Sequence, residues 1–320
     1  RQHMGKQLVK TDKWDGHPNA HSESGATIEQ LFLRAEELQQ LGKPNEALAL
    51  YDAWLQTNIT PNRFLVLFNQ ACLLQKLNRS DLADKAYRSC LEQQPDFAQA
   101  LINWGLLLEA SGDSTSALER WGRVMAAYYS GKTVPMELAV MALNHIGRLQ
   151  ENLRQYDAAE RALKESLSLN PEQPGVIQHW IHIRQKACQW PIYEPVERVS
   201  RYQQLMCTSP LAELAMHDDP AHQLLVAKAF VERTYTFKPE TLGTHPCARH
   251  ERLRIGYVSG DLCVHAVGLL MADVFEQHDR RKVEVFAYDF TLEDGSSHRL
   301  RIKQGVEHWR DIRLKSDRQA

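Results

Sequence analysis

The sequence predicts a mainly α-helical protein in which an α-solenoid of repeated helix pairs is followed by a helical linker and the start of an α/β lobe. Small residues recur at near-constant intervals through the first half of the chain. Helical periodicity then continues without that repeat, and a β-rich apolar run finally precedes an amphipathic helix. The predicted segments are a polar, aperiodic and flexible leader (1–26), the repeats (27–175), the linker (176–247) and an incomplete α/β lobe (248–320).

Composition and charge exclude several classes of protein. The 320 residues are 43% hydrophobic and 24% charged, which is typical of a globular protein of about two domains. The formal net charge of -2 gives no global attraction to nucleic acid or to an anionic membrane, so neither is a predicted partner. No apolar run reaches the roughly 20 residues of a membrane span, and the six cysteines form no C-x-x-C pair. We therefore expect a cytoplasmic protein.

The repeats are defined by four alanines, each followed four positions later by a large residue. The alanines lie 36, 34 and 42 residues apart. An alanine lets paired helices approach closely and the larger side chain fills the gap between units, so we expect both to pack in the core. With a period of about 34 residues, the pattern resembles the tetratricopeptide family and predicts four helix-turn-helix units. The pairs are Ala47 with Tyr51, Ala83 with Tyr87, Ala117 with Trp121, and Ala159 with Leu163.

Turn signals support this division. Gly42, Asn78 and Gly112 each lie five residues before a repeat alanine, where the chain must turn between paired helices. The longest interval between alanines requires an insertion, which we place in Tyr128–Pro135.

Two asparagines interrupt the apolar pattern of the repeats. Asn69 and Asn103 lie 34 residues apart on the predicted first helices of their units, which places them on the concave surface of a solenoid. An amide both donates to and accepts from a peptide backbone, so these residues are predicted to bind an extended polypeptide. Solvated polar residues on an exposed face are an equally weighted alternative. Phe32 and Glu36 occupy positions where a chaperone-docking clamp needs cations and amides, so a chaperone adaptor is not expected.

Four stretches after the repeats resemble one enzyme family. They are HIRQKACQW (182–190), SPLAELAMHDDPAHQL (209–224), RLRIGYVSGD with the following HAVGLL, and KVEVFAYDF with EDGSSHRLR. Their order is similar to that in glycosyltransferase family 41, the protein O-linked N-acetylglucosamine transferases and their Spindly-like bacterial relatives. The resemblance implies a two-lobed GT-B fold and inverting transfer of a sugar from a nucleotide sugar to Ser or Thr. It further implies that the repeats bind the acceptor polypeptide, that UDP-N-acetylglucosamine or another nucleotide sugar is the donor, and that no metal or cofactor is used.

The candidate catalytic residue is His265. A predicted strand ends at Ser259-Gly260-Asp261, and the loop from there to His265 leaves the carboxyl end of that strand, where open α/β sheets bind ligands. His265 is the imidazole of this loop, a side chain suited to proton transfer near neutral pH. It matches the loop histidine of the family, which implies an active-site role, either as base or as a positioning residue. A histidine that only caps the following helix is the alternative.

Other residues of the α/β region have less specific interpretations. Asp261 fits a turn better than a base, and Gly268 allows close approach of a ligand or of neighbouring backbone. No H-E-x-x-H motif and no Cys/His cluster with zinc spacing occurs, so no metal site is predicted. A series of cationic residues near the end of the sequence is predicted to lie on a solvated surface, because acidic residues are interspersed among them. These residues are Arg299, Arg301, Lys303, Arg310, Arg313, Lys315 and Arg318.

Only about two strand-helix units of the family's first catalytic lobe are expected in this sequence. The family draws its nucleotide contacts mainly from later sequence, so we expect these 320 residues alone to be inactive. The resemblance leaves the sugar open among N-acetylglucosamine, fucose and glucose. The alternative function is a non-catalytic tetratricopeptide scaffold for protein–protein interaction, because such repeats bind peptides in either case.

Overall fold

The computed structural model describes residues 27–235 and 250–316. The chain divides into two compact units, Arg1–Thr236 and Phe237–Ala320. The predicted leader at 1–26, the linker residues 236–247 and the final residues 317–320 lie outside the described residues. Within the described ranges, no helix combines the length and the apolar character needed to cross a membrane.

The described part of the first unit begins with eight helices that pack as four consecutive pairs. This arrangement confirms the predicted mainly α-helical class and places a loop at 130–135, inside the predicted insertion. The helices are α1 (Ile28–Gln40), α2 (Pro44–Thr57), α3 (Arg63–Lys76), α4 (Ser80–Gln93), α5 (Ala98–Ala110), α6 (Ser114–Tyr129), α7 (Met136–Asn152) and α8 (Tyr156–Leu169).

A residue in the left-handed conformation ends the first helix of each pair. Gly42, Asn78 and Gly112 have φ angles of 73°, 57° and 91°, which confirms the predicted turns. The fourth turn uses Arg154, with φ 61°, because the following Gln155 donates its backbone N–H to the carbonyl of Gln150 at 2.8 Å and closes the helix end. A left-handed arginine has no compositional signal, so the sequence did not reveal this turn.

The four repeat alanines are fully buried, and the large residues that follow them are at most 3% exposed, so the predicted core packing is confirmed. The first helix of each pair contributes a small residue to the same contact. A Cβ on Gly105 would lie 2.3 Å from Nε1 of Trp121, and one on Gly147 would lie 2.5 Å from Cδ2 of Leu163. These small residues, which were not predicted, stand sixteen positions before the large ones: Ala35, Ala71, Gly105 and Gly147.

Four further helices complete the described first unit. A buried cluster joins α9 (Pro174–Lys186) to the last repeat: Arg184 lies 3.0 Å from Glu160, and the indole N–H of Trp180 donates to the same carboxylate at 2.8 Å. Prolines stand in the first turns of three of these helices, where the missing N–H costs nothing. The helices are α9 (Pro174–Lys186), α10 (Arg201–Cys207), α11 (Pro210–Leu214) and α12 (Pro220–Thr234).

The second unit is a small parallel sheet with two helices. In the described residues its three strands lie side by side in chain order, and its core includes Leu262, Phe275 and Val285. The predicted strand–helix–strand–helix order is confirmed, and a third strand follows it. The elements are β1 (Leu253–Ser259), α13 (Ala266–Gln277), β2 (Val283–Asp289), α14 (Ser297–Gln304) and β3 (His308–Asp311).

Candidate functional site

The candidate site lies at the carboxyl edge of the parallel sheet in the second unit. In the register of the sheet, Ser259 at the end of β1 pairs with Asp289 at the end of β2, and Asp289 pairs with Asp311 at the end of β3. Because the strands are parallel, the loops at 260–265 and 290–296 leave the sheet from the same edge. Ligands of open α/β sheets bind at this edge.

A buried ion pair lies beneath the two loops. Nη2 of Arg299 is 2.7 Å from Oδ2 of Asp289, and the two side chains are 2% and 0% exposed. The guanidinium also donates to the carbonyl of Leu262 at 2.8 Å and to Glu293 at 2.9 Å. Arg299 therefore ties the end of β2 to the backbone of the loop that carries His265.

Two more contacts hold the first loop against the second. The N–H of Leu262 donates to the hydroxyl of Thr291, and the N–H of Val264 donates to Oδ2 of Asp294, both at 3.0 Å. Donation from the backbone N–H groups of Val264 and Ser296 lowers the pKa of Asp294 to about 2. Because these contacts involve backbone atoms, they fix the loop independently of the residue types in it.

His265 closes the loop as the N-cap of α13. Its Nδ1 accepts a hydrogen bond from the backbone N–H of Val267 at 3.3 Å, so a neutral ring carries its proton on Nε2. The side chains of His265 and Asp261 are 49% and 51% exposed, with 3.9 Å between Nδ1 and Oδ1. The cap and an active-site role are compatible, because the cap orients the ring. In this arrangement Nε2–H can donate a hydrogen bond to a ligand, and an active-site role of His265 stays a prediction.

Gly268 is required by the backbone of this loop. A Cβ at Gly268 would lie 2.2 Å from the carbonyl oxygen of Cys263 and 3.0 Å from that of Asp261. The loop therefore packs directly on the first turn of α13, and close packing of backbone accounts for this glycine. The N–H of Asp261 donates to the hydroxyl of Ser259 at 3.0 Å, as expected for a turn residue.

Asp289 and Arg299 were not among the site residues predicted from the sequence. The prediction that Arg299 belongs to a solvated cationic surface is wrong, because its guanidinium is buried against Asp289. Arg301, in contrast, is 46% exposed and contacts Asp273 and Glu276. A useful signal was available, since Asp289 ends the second strand at the ligand-binding edge of a parallel sheet.

The two asparagines lie on the first helices of their pairs, as predicted, but in different environments. Asn69 on α3 is partly buried and its amide donates to the carbonyl of Leu65 at 2.8 Å. Asn103 on α5 is fully buried and its amide lies 3.3 Å from Sγ of Cys72. The predicted surface position of Asn103 is therefore wrong, because the neighbouring repeat covers this part of α5. Peptide binding by Asn69 stays a prediction.

Two segments of the chain match known protein families. Residues 224–318 match the model described as glycosyl transferase family 41. Residues 65–97 and 142–173 match the tetratricopeptide repeat. The chain combines matches to tetratricopeptide repeats with a match to family 41. Residues 224–318, the family 41 segment, contain β1, His265 and the buried Asp289–Arg299 pair.

The relatives include two transferases. A probable UDP-N-acetylglucosamine–peptide N-acetylglucosaminyltransferase SEC of Arabidopsis thaliana is 32% identical over 151 residues, which are 41% of this chain and 15% of the relative. The UDP-N-acetylglucosamine–peptide N-acetylglucosaminyltransferase of Caenorhabditis elegans is 42% identical over 62 residues, 19% of this chain and 5% of the relative. A mutant O-GlcNAc transferase of Thermobaculum terrenum aligns over 82% of this chain and 44% of its own, with 21% identity and a TM-score of 0.39.

Proposed function

We propose that this chain is the N-terminal part of a protein glycosyltransferase that moves N-acetylglucosamine from a nucleotide sugar, such as UDP-N-acetylglucosamine, to Ser or Thr of proteins. The observation that carries the proposal is the order of the two matches, with tetratricopeptide repeats preceding a family 41 segment. The Arabidopsis relative is described as a probable UDP-N-acetylglucosamine–peptide N-acetylglucosaminyltransferase, and the Caenorhabditis relative as such a transferase. The proposal includes a GT-B fold, inversion at the anomeric carbon and a cytoplasmic location.

The loop that carries His265 is suited to positioning a reacting group in such a transfer. Transfer to a hydroxyl requires in-line placement of that hydroxyl, an acceptor for its proton and stabilisation of the departing diphosphate. Nε2 of His265 can donate a hydrogen bond to an oxygen of donor or acceptor while Nδ1 keeps its bond to Val267. His265 thereby positions a reacting group. Little rearrangement of the loop is needed when the ligand binds, because Arg299, Thr291 and Asp294 already hold the loop in place.

The repeats supply the acceptor-binding surface in this proposal. Asn69 uses its amide N–H toward the carbonyl of Leu65, which leaves Oδ1 as an acceptor for the backbone N–H of a bound polypeptide. Such a hydrogen bond contacts the backbone of the bound polypeptide and not its side chains, so one surface can bind polypeptides of many sequences. Acceptor polypeptides and a nucleotide sugar are the proposed partners, and no cofactor is proposed for the transfer.

An activity assay tests the proposal. The complete gene product is incubated with UDP-N-acetylglucosamine and a Ser/Thr-containing protein acceptor, and the sugar on the acceptor is measured by mass spectrometry. We expect the acceptor to gain N-acetylglucosamine in proportion to time and enzyme. Acceptor binding without transfer from any of several nucleotide sugars would instead support the non-catalytic scaffold.

A further inference from the structure

Glu213 is a fully buried carboxylate in the helical segment that precedes the family 41 segment. Its side chain is 0% exposed, and Oε2 accepts a hydrogen bond from the hydroxyl of Tyr193 at 3.1 Å. Oε1 is buried without an aligned hydrogen-bond donor among the described residues. A buried carboxylate is costly unless it is paired, so the surroundings of Oε1 must compensate its charge.

Two imidazoles converge on this oxygen. Nδ1 of His222 lies 2.7 Å from Oε1 of Glu213, and Nε2 of His217 lies 3.8 Å from the same atom. The two rings meet edge to face, with centroids 4.9 Å apart. All three ligand atoms lie within 4.8 Å of one another. The short contact to His222 is not a hydrogen bond, since Oε1 has no hydrogen-bond partner among the described residues.

We propose that Glu213, His217 and His222 bind a divalent transition-metal ion, with Zn²⁺ as the best fit. Zinc holds nitrogen and carboxylate oxygen at about 2.0–2.2 Å in tetrahedral geometry, so ligand atoms on one ion stand roughly 3.3 Å apart. The observed separations of 2.7 and 3.8 Å from Oε1 bracket that value. Two imidazoles and one carboxylate suit zinc better than the oxygen-preferring Mg²⁺ or Ca²⁺.

The surroundings are built as outer contacts of such a site. Tyr193 holds the second oxygen of Glu213 and is itself 3.1 Å from the hydroxyl of Thr208, which orients the carboxylate. The side chains of His217 and His222 are 43% and 24% exposed, so water can reach the ion and fill a fourth position. The histidine side of the proposed site is therefore open to solvent, and the carboxylate side is held by buried hydrogen bonds.

A bound ion would join two weakly packed helices. Glu213 lies in α11, which has five residues, and His222 lies in the first turn of α12, whose one fully buried residue among those described is Val226. His217 lies in the turn between them. The ligands are four and five positions apart in sequence, a spacing with no standard motif, which is why the sequence analysis predicted no metal site. The metal is inferred to stabilise this segment and takes no part in the proposed transfer.

Zinc titration of the 320-residue chain tests the proposal. The chain is treated with chelator, and zinc uptake is measured by calorimetry and by the visible absorption of Co²⁺ as a substitute ion. His217→Ala and His222→Ala are compared with His182→Ala, a control because that side chain is 49% exposed in the same unit. Circular dichroism checks that each variant is folded. His182→Ala also shows how much uptake is lost when a histidine outside the proposed site is removed.

We expect the wild type and His182→Ala to take up one more equivalent of zinc than the two site variants. Their Tm should rise with zinc concentration, because the ion binds the folded state preferentially, and this rise should be lost in His217→Ala and His222→Ala. Equal zinc uptake by all four folded proteins would overturn the proposal. It would also be overturned by zinc-independent Tm values and Co²⁺ spectra that do not differ between the wild type and the site variants.

Discussion

Arg299→Met is expected to destabilise the second unit by about 3–5 kcal/mol, because it leaves the carboxylate of Asp289 buried without its partner. The methionine replaces much of the volume of the side chain but none of its donors to Asp289, Leu262 and Glu293. Amide hydrogen exchange of peptides from β2 reports the free energy of opening of this unit. Exchange should accelerate by at least about a hundredfold, or reach the unprotected rate.

Arg301→Met is the matched control for this experiment. It removes an arginine from the same helix, but one that is exposed and paired with the exposed carboxylates of Asp273 and Glu276. A small effect is expected, because solvent screens such pairs. The double variant Asp289→Asn/Arg299→Met should recover part of the lost protection, because it removes the uncompensated charge. Equal acceleration of amide exchange in Arg299→Met and Arg301→Met would mean that the buried Asp289–Arg299 pair does not stabilise the second unit.

Trp121→Ala is expected to lower the free energy of unfolding of the repeats by about 3–5 kcal/mol. The indole is 0% exposed, donates to the carbonyl of Ile102 at 3.1 Å and stacks on His145 with ring centroids 5.2 Å apart. Its removal opens a cavity between α5, α6 and α7 and loses the hydrogen bond to Ile102. Urea unfolding followed by circular dichroism measures the change.

Tyr129→Ala on the same helix is the control for Trp121. Its side chain is 61% exposed and its hydroxyl contacts Glu165, so truncation opens no cavity. We expect a much smaller change in the urea midpoint than for Trp121→Ala. Similar midpoints for the two variants would mean that the contact between repeat units contributes little to stability, against the packing argument.

The helix pairs were predictable because their signals are local and repeated. A repeat alanine and a large residue four positions later recur in all four units, a turn residue five positions earlier was recognised in three of them, and the structure bears out each of these predictions. Arg154 escaped prediction because an arginine at a left-handed turn looks like any other surface arginine. The helix that carries Asn103 was predicted correctly, but the burial of Asn103 was not. The rotation of the helix that buries this residue against Cys72 depends on the neighbouring repeat.

Of the candidate site, only the first loop was predicted. The strand, the polar turn and His265 are adjacent in sequence, so their order placed the histidine at the edge of the sheet. Asp289 and Arg299 are ten residues apart, and nothing in the charge pattern distinguishes that pair from the exposed pairs around it. The cluster of Glu213, His217 and His222 forms because a turn folds α12 back toward α11, which residue spacing alone does not reveal.

The central claim, that the loop carrying His265 acts in sugar transfer, is tested most directly by His265→Ser in the complete gene product. Serine is a good N-cap, so the start of α13 is preserved while the imidazole is lost. His250→Ser, before β1 and so away from the carboxyl edge, is the control. The measurement is kcat/KM for transfer of N-acetylglucosamine from UDP-N-acetylglucosamine to a peptide. We predict a loss of at least about a hundredfold for His265→Ser at unchanged Tm, with His250→Ser active. Equal kcat/KM values for His265→Ser and the wild type would contradict the claim.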